Sequence, residues 1–219
     1  MNRKNKILTL ILAVALMLSL AACGSDQEGN AVGSPVGELT GTEYLNKRFL
    51  IRCNLPEDWN TATKEERAAL IGLALSTTDD EEFDKIMEQA GTWCELYASS
   101  ADDTARISIT VERVGPMSAM SYTPKSFLDG IVDTYVRSLQ NSGLTDIVSE
   151  RGTKKFMDGE REYLKLSGNS GDNSIFMEYF IFKSSRFYCT ITLSSLGTDQ
   201  LSDIEAMFSE VKELNYTNP

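Results

Sequence analysis

The chain predicts an α+β domain, an α/β/α sandwich around a mostly antiparallel sheet of about six or seven strands. Three observations predict it. Residues 93–114 and 153–194 read as successive strands joined by short polar turns, which makes neighbouring strands antiparallel. Segment 174–182 is apolar on both faces, with Phe176, Phe180 and Phe182 on one and Ile175, Met177, Tyr179 and Ile181 on the other. Such a strand requires cover on both sides. Residues 123–143 and 198–214 carry apolar side chains at helical spacing and supply that cover.

In order along the chain, Arg3, Lys4 and Lys6 form a basic start, residues 7–22 hold no charge, and Ala21 and Ala22 precede Cys23. This pattern is a secretory signal rather than part of the fold, and it is shorter than the ~20 apolar residues of a bilayer-spanning helix. The quartet Leu20-Ala21-Ala22-Cys23, followed by Gly24, resembles the lipobox of bacterial lipoproteins. That resemblance implies cleavage before Cys23, a diacylglycerol on its sulfur, and a protein held at the cell membrane facing outside the cytoplasm. Two acyl chains anchor stably where one binds only marginally. The expected divisions are a signal peptide over 1–22, a lipid-anchored tether over 23–44 and one domain over 45–217. Five glycines among Ser, Asp, Glu, Thr and Pro35 give residues 24–44 too few large apolar side chains to offset the entropy of ordering them.

Within the domain, residues 49–55 alternate with period two and end at Pro56, which cannot continue a central strand. Thr63 and Glu66 have capping-box spacing and open a helix to about residue 75. Asp79, Asp80, Glu81, Glu82 and Asp84 sit where carboxylates complement a helix dipole, at the start of a second helix to about residue 89. A hairpin follows over 93–99 and 105–114. Thr123 and Pro124 then cap the clearest helix, in which Phe127, Leu128, Ile131, Val132, Tyr135, Val136 and Leu139 share one side and Gly143 closes it. Asp158-Gly159 suits a tight hairpin turn between strands 153–157 and 160–167. A strand over 186–194 and a helix over 198–214 complete the chain.

The strand ending in Leu55-Pro56-Glu57-Asp58-Trp59, a hairpin, one long helix, a four-strand meander and a closing helix resemble the PsbP-like, or Mog-type, fold. The resemblance implies a domain that acts by binding other macromolecules. Its motifs place no contact residue. The helical stretch over 64–89 is longer than that fold implies.

Composition narrows the chemistry. Loss of Arg3, Lys4 and Lys6 leaves 18 basic residues against 32 acidic, a balance of −14. Such a net charge repels nucleic acid and anionic headgroups and suits a cationic partner or simple solubility. With no histidine, Ser-His-Asp and Cys-His catalysis and imidazole metal sites are excluded. Cys53, Cys94 and Cys189 lie on apolar strand faces and read as core, with at most one internal disulfide among them. Ser209 and Lys212 match Ser-x-x-Lys, but its companion motifs are missing. The expectation is a non-catalytic module without cofactor or metal that binds or supports another envelope component, its partners being the membrane through Cys23 and an envelope protein. The alternative is a small-ligand binder, or an enzyme with two carboxylates across a cleft. Trp59 is expected to fold back over one end of the sheet. Met117, Met120 and Tyr122 lie in a connection without strand or helix period and are the candidate protein contacts.

Overall fold

A computed structural model describes residues 37–71 and 91–212. In chain order they form β1 (Glu38–Thr40), β2 (Glu43–Asn46), β3 (Ile51–Asn54), β4 (Asn60–Thr61), α1 (Lys64–Leu70), β5 (Thr92–Ser99) and β6 (Ala105–Arg113). Then come α2 (Pro116–Ser121), α3 (Pro124–Asn141), β7 (Thr145–Phe156), β8 (Gly159–Ser170), β9 (Asn173–Ser184), β10 (Phe187–Leu196), α4 (Leu201–Glu205) and β11 (Phe208–Glu210). The architecture is α+β, with two antiparallel sheets. Seven strands make the larger, in the order β4-β5-β6-β10-β9-β8-β7, and β1-β2-β3-β11 make the smaller.

The meander arises from tight turns. Phe156 pairs with Gly159, Ser170 with Asn173 and Ser184 with Phe187, leaving two residues at each tip. The first of each pair has a positive φ: Met157 at 58°, Gly171 at 60° and Ser185 at 56°. The β7–β8 turn is therefore centred on Met157-Asp158, one residue earlier than the Asp158-Gly159 expectation, and β7 begins at Thr145 rather than near residue 153.

The doubly apolar strand is buried on both faces, as its pattern requires. On one face of β9, Tyr179 and Ile181 pack with Leu128, Val132, Tyr135 and Leu139 of α3. Thr123 caps α3, accepting from Ser126 N at 3.1 Å, and Gly143 leaves it at φ 90°. On the other face Phe180 stacks on Phe156 with ring centroids 3.9 Å apart, in a core shared with Tyr44, Ile51, Cys53 and Phe208 of the small sheet and Leu201 and Ile204 of α4.

This second layer corrects three expectations. The sandwich is not α/β/α: a four-stranded sheet, helped by α4, lies where a helix was expected. Residues 38–44, assigned to the tether, form β1 and the start of β2, because Tyr44 buries its ring fully while its hydroxyl reaches Glu95. The helix expected over 198–214 stops at Glu205, and Phe208–Glu210 adds to the free edge of β3, Phe208 opposite Cys53 and Glu210 opposite Ile51. A strand edge left open by β2–β3 outweighs the helical spacing of a segment that no side chain caps. The Thr63–Glu66 capping box forms as expected. The acidic helix expected over 79–89 lies outside the described residues, as do Cys23 and the signal.

Candidate functional site

Of the three residues expected to make contacts, Met117 and Met120 lie on a helix rather than a loop, and Tyr122 is the extended residue that caps its end. Gly115 is extended at the N-cap, Pro116 supplies a preset φ at the first turn, and Ala119 N donates to Gly115 O at 2.9 Å. Met117 and Met120, three residues apart, share one side of α2. They are 84% and 89% exposed, and Tyr122 is 47% exposed. Polar bonds fasten the helix from behind. Lys183 Nζ donates to Ala119 O and, at 2.9 Å, to Tyr122 O, while Tyr188 OH donates to Tyr122 O at 2.7 Å. Tyr188 is itself fixed by stacking on Phe127 of α3, centroids 5.2 Å apart. The exposure is thus held by the frame of the domain.

A carboxylate cluster went unmarked in the sequence. Lys154 Nζ of β7 lies 3.1 and 3.2 Å from the two oxygens of Glu178 on β9 and 2.7 Å from Glu205 on α4. Lys165 pairs with Asp199 at 2.7 Å beside them, and Tyr163 OH donates to Glu150. Burial, and next the neighbouring Glu205 carboxyl, push Glu178 up to about 7. The cleft above is shallow, about 250 Å³. The ammonium between the carboxyls makes this an ion-pair lattice joining β7, β9 and α4.

A second buried carboxylate, Glu95, ties the two sheets together. It accepts from Tyr44 OH, from Asn46 Nδ2 at 2.8 Å and from Trp93 Nε1 at 2.9 Å, and also from the backbone of Gly37. Burial raises its pKa although these donors act against the rise. Glu95 and Glu178 escaped notice because a single charge inside an alternating strand reads as an outward position.

No protein-family model and no curated protein matches the chain. Among solved structures it is similar to one from Bacteroides thetaiotaomicron, with TM-score 0.41 and 12% identity over 80% of this chain. The chain spans half the length of that protein. It is also similar to LpqN of Mycobacterium tuberculosis, a protein involved in cell envelope biogenesis, with TM-score 0.30 and 11% identity over 73% of this chain and 82% of that one. At these scores neither likeness carries a functional argument. The PsbP-like resemblance has no support beyond the motifs that suggested it.

The remaining candidates resolve into packing. Cys53, Cys94 and Cys189 are buried and free, and burial pushes the first two thiols up to about 12 and raises the third. Ser209 lies in β11 and Lys212 just beyond it, and residues three apart on an extended chain face opposite sides, so the Ser-x-x-Lys spacing does not assemble. Trp59 packs, half-buried, against the inter-sheet core. Among the described residues no group of three Asp, Glu, Cys or His converges for a metal ion, and no helix is long and apolar enough to cross a membrane. Two larger clefts, about 440 and 540 Å³, are open and rimmed by charged side chains such as Asp129, Arg151, Arg161 and Glu160.

Proposed function

We propose that this chain is a lipid-anchored protein on the outer side of the cell membrane that works by contact rather than turnover, through the α2 surface. One observation carries the reading: Met117 and Met120 stand almost fully exposed on a helix that Lys183 and Tyr188 pin in place. A pinned backbone adds little ordering cost on docking, and the adaptable Met side chains it carries suit an interface. The lipobox pattern at Cys23 supports the address, since a diacylated cysteine holds the domain at the bilayer.

Two measurements test this. Mass spectrometry of the mature N-terminus is expected to find a diacylated Cys23, and Cys23→Ser to release the protein from membranes; an unmodified N-terminus at another residue defeats the anchor. A photocrosslinker at position 120 in intact cells is expected to give one dominant product. Met117→Ser, Met120→Ser and Tyr122→Ser together are expected to abolish it without lowering the melting temperature. A product unchanged in the triple variant removes α2 from the function.

A further inference from the structure

Two stretches of this acid-rich chain contain no carboxylate, and the fold brings them together. Residues 113–128 and 179–198 lack Asp and Glu although the chain has 32 of them, and their charged residues, Arg113, Lys125, Lys183 and Arg186, are all cations. In the antiparallel pair β6–β10, Arg113 stands opposite Phe187. Val114 N donates to Arg186 O at 2.9 Å, and Arg186 Nε donates back to Val114 O at 3.2 Å. Lys183 reaches the last turn of α2, and Lys125 follows Pro124 at the start of α3, paired with Asp129 at 2.6 Å. The apolar tip made by Met117, Met120 and Tyr122 therefore adjoins two carboxylate-free stretches of an acidic protein, with Glu160, Glu162 and Glu210 set back in the cleft on the far side of Lys183.

The chain also enters the domain at this end. Glu38 pairs with Leu45, so Gly37 lies beside Asn46 and the turn that follows it. In that turn Arg48 stacks over the ring of Phe187, 4.6 Å from its centroid, next to Arg186. Thirteen residues separate Cys23 from Gly37, a length that reaches at most ~45 Å.

We propose that this end is a membrane-facing surface, with Met117, Met120 and Tyr122 entering the headgroup layer of an anionic bilayer and Arg113, Lys125 and Lys183 facing its phosphates. The proposal rests on the contact reading above and names the occupant. Apolar side chains rimmed by cations are what an interfacial segment presents to anionic lipid. Cations within about 10 Å of such a surface are attracted to it, and carboxylates there are repelled. The net charge of the mature chain opposes general adsorption to anionic lipid, but its uneven distribution selects one orientation. The short leader keeps the membrane, rather than a distant acidic protein, within reach of that end.

The test uses the full chain, purified from bacterial membranes and reconstituted in vesicles of phosphatidylcholine alone or with phosphatidylglycerol. A fluorophore is placed on Met120→Cys or, at the far end of β9, on Asp172→Cys; Cys53, Cys94 and Cys189 are buried. Brominated lipid is expected to quench position 120 several-fold more than position 172 in the anionic vesicles. Arg113→Gln with Lys125→Gln, which leaves the Lys183 and Tyr188 bonds to α2 intact, is expected to reduce that quenching several-fold. Equal quenching at both positions, or equal quenching with and without phosphatidylglycerol, overturns the proposal. An unquenched position 120 that still crosslinks to a protein in cells overturns the membrane occupant and keeps the contact reading. An unquenched position 120 without any crosslink overturns both.

Discussion

Burial sets the behaviour of single residues here more than charge does. Glu178 is 1% exposed, and burial followed by the Glu205 carboxyl holds its own carboxyl up at about 7, against about 4.3 in an unfolded chain. The folded protein keeps a proton that the unfolded chain releases between those two values. Glu178 therefore favours the fold fully below about pH 4, and that advantage is lost as pH rises through about 7. The difference is worth on the order of 3 kcal/mol. Burial also pushes Glu112 up to about 7 and raises Glu95, so three residues act in the same direction. Glu178→Gln is expected to remove a measurable share of the stability loss between pH 5 and pH 8, read by urea unfolding at both; an unchanged slope refutes the assignment. Sequence did not mark Glu178, because it shares its strand face with Phe176 and Phe180, and Lys154 and Glu205 each lie more than twenty residues away. The exposure of Met117, Met120 and Tyr122 was legible from large apolar groups in a connection between elements, although the short helix that carries the two methionines was not.

At the scale of elements, a pattern held where a second signal backed it, a cap in α3 and two apolar faces in β9. The α3 helix has both a cap and a continuous apolar side, and β9 has two apolar faces that no solvent-exposed strand tolerates. Phe180 is fully buried against Phe156, so Phe180→Ala is expected to cost about 3–5 kcal/mol. Ile181, 3% exposed beneath α3, is expected to cost about 2–5 kcal/mol when cut to Ala. Comparable losses in thermal unfolding match cover on both faces, and a silent Ile181→Ala leaves α3 without its packing role. The apolar spacing over 198–214, nearly as long but without a side-chain cap, failed for a physical reason. Ile204, Met207, Phe208 and Val211 satisfy a helical spacing, yet Asn54 N donates to Met207 O and Val211 N to Leu50 O, both at 2.9 Å. The deciding partner, the open edge of β3, exists only once β2 has paired with β3, and β2 begins inside the segment whose composition reads as a tether.

For the whole molecule, the point that composition obscured is where folding begins along the chain. Glycine and polar residues around 37–43 resemble linker, but Tyr44 and Asn46 supply two of the donors that make Glu95 tolerable between the sheets, and Gly37 supplies a third. A chain that starts at Gly37 keeps all of these. One that starts at Leu45 loses β1, the fully buried Tyr44 ring and two bonds to a buried carboxylate. Removing a buried aromatic costs about 3–5 kcal/mol, and depriving a buried carboxylate of donors costs about 1–3 kcal/mol or more. Together these approach the ~5–15 kcal/mol that holds a domain folded. The Gly37 start is therefore expected to melt within a few degrees of the mature chain and to resist protease. The Leu45 start is expected to be largely unfolded near 37 °C or to melt at least ~10 °C lower. Equal melting temperatures would show that β1 and the Tyr44 ring contribute nothing to stability, and that Glu95 finds its donors elsewhere.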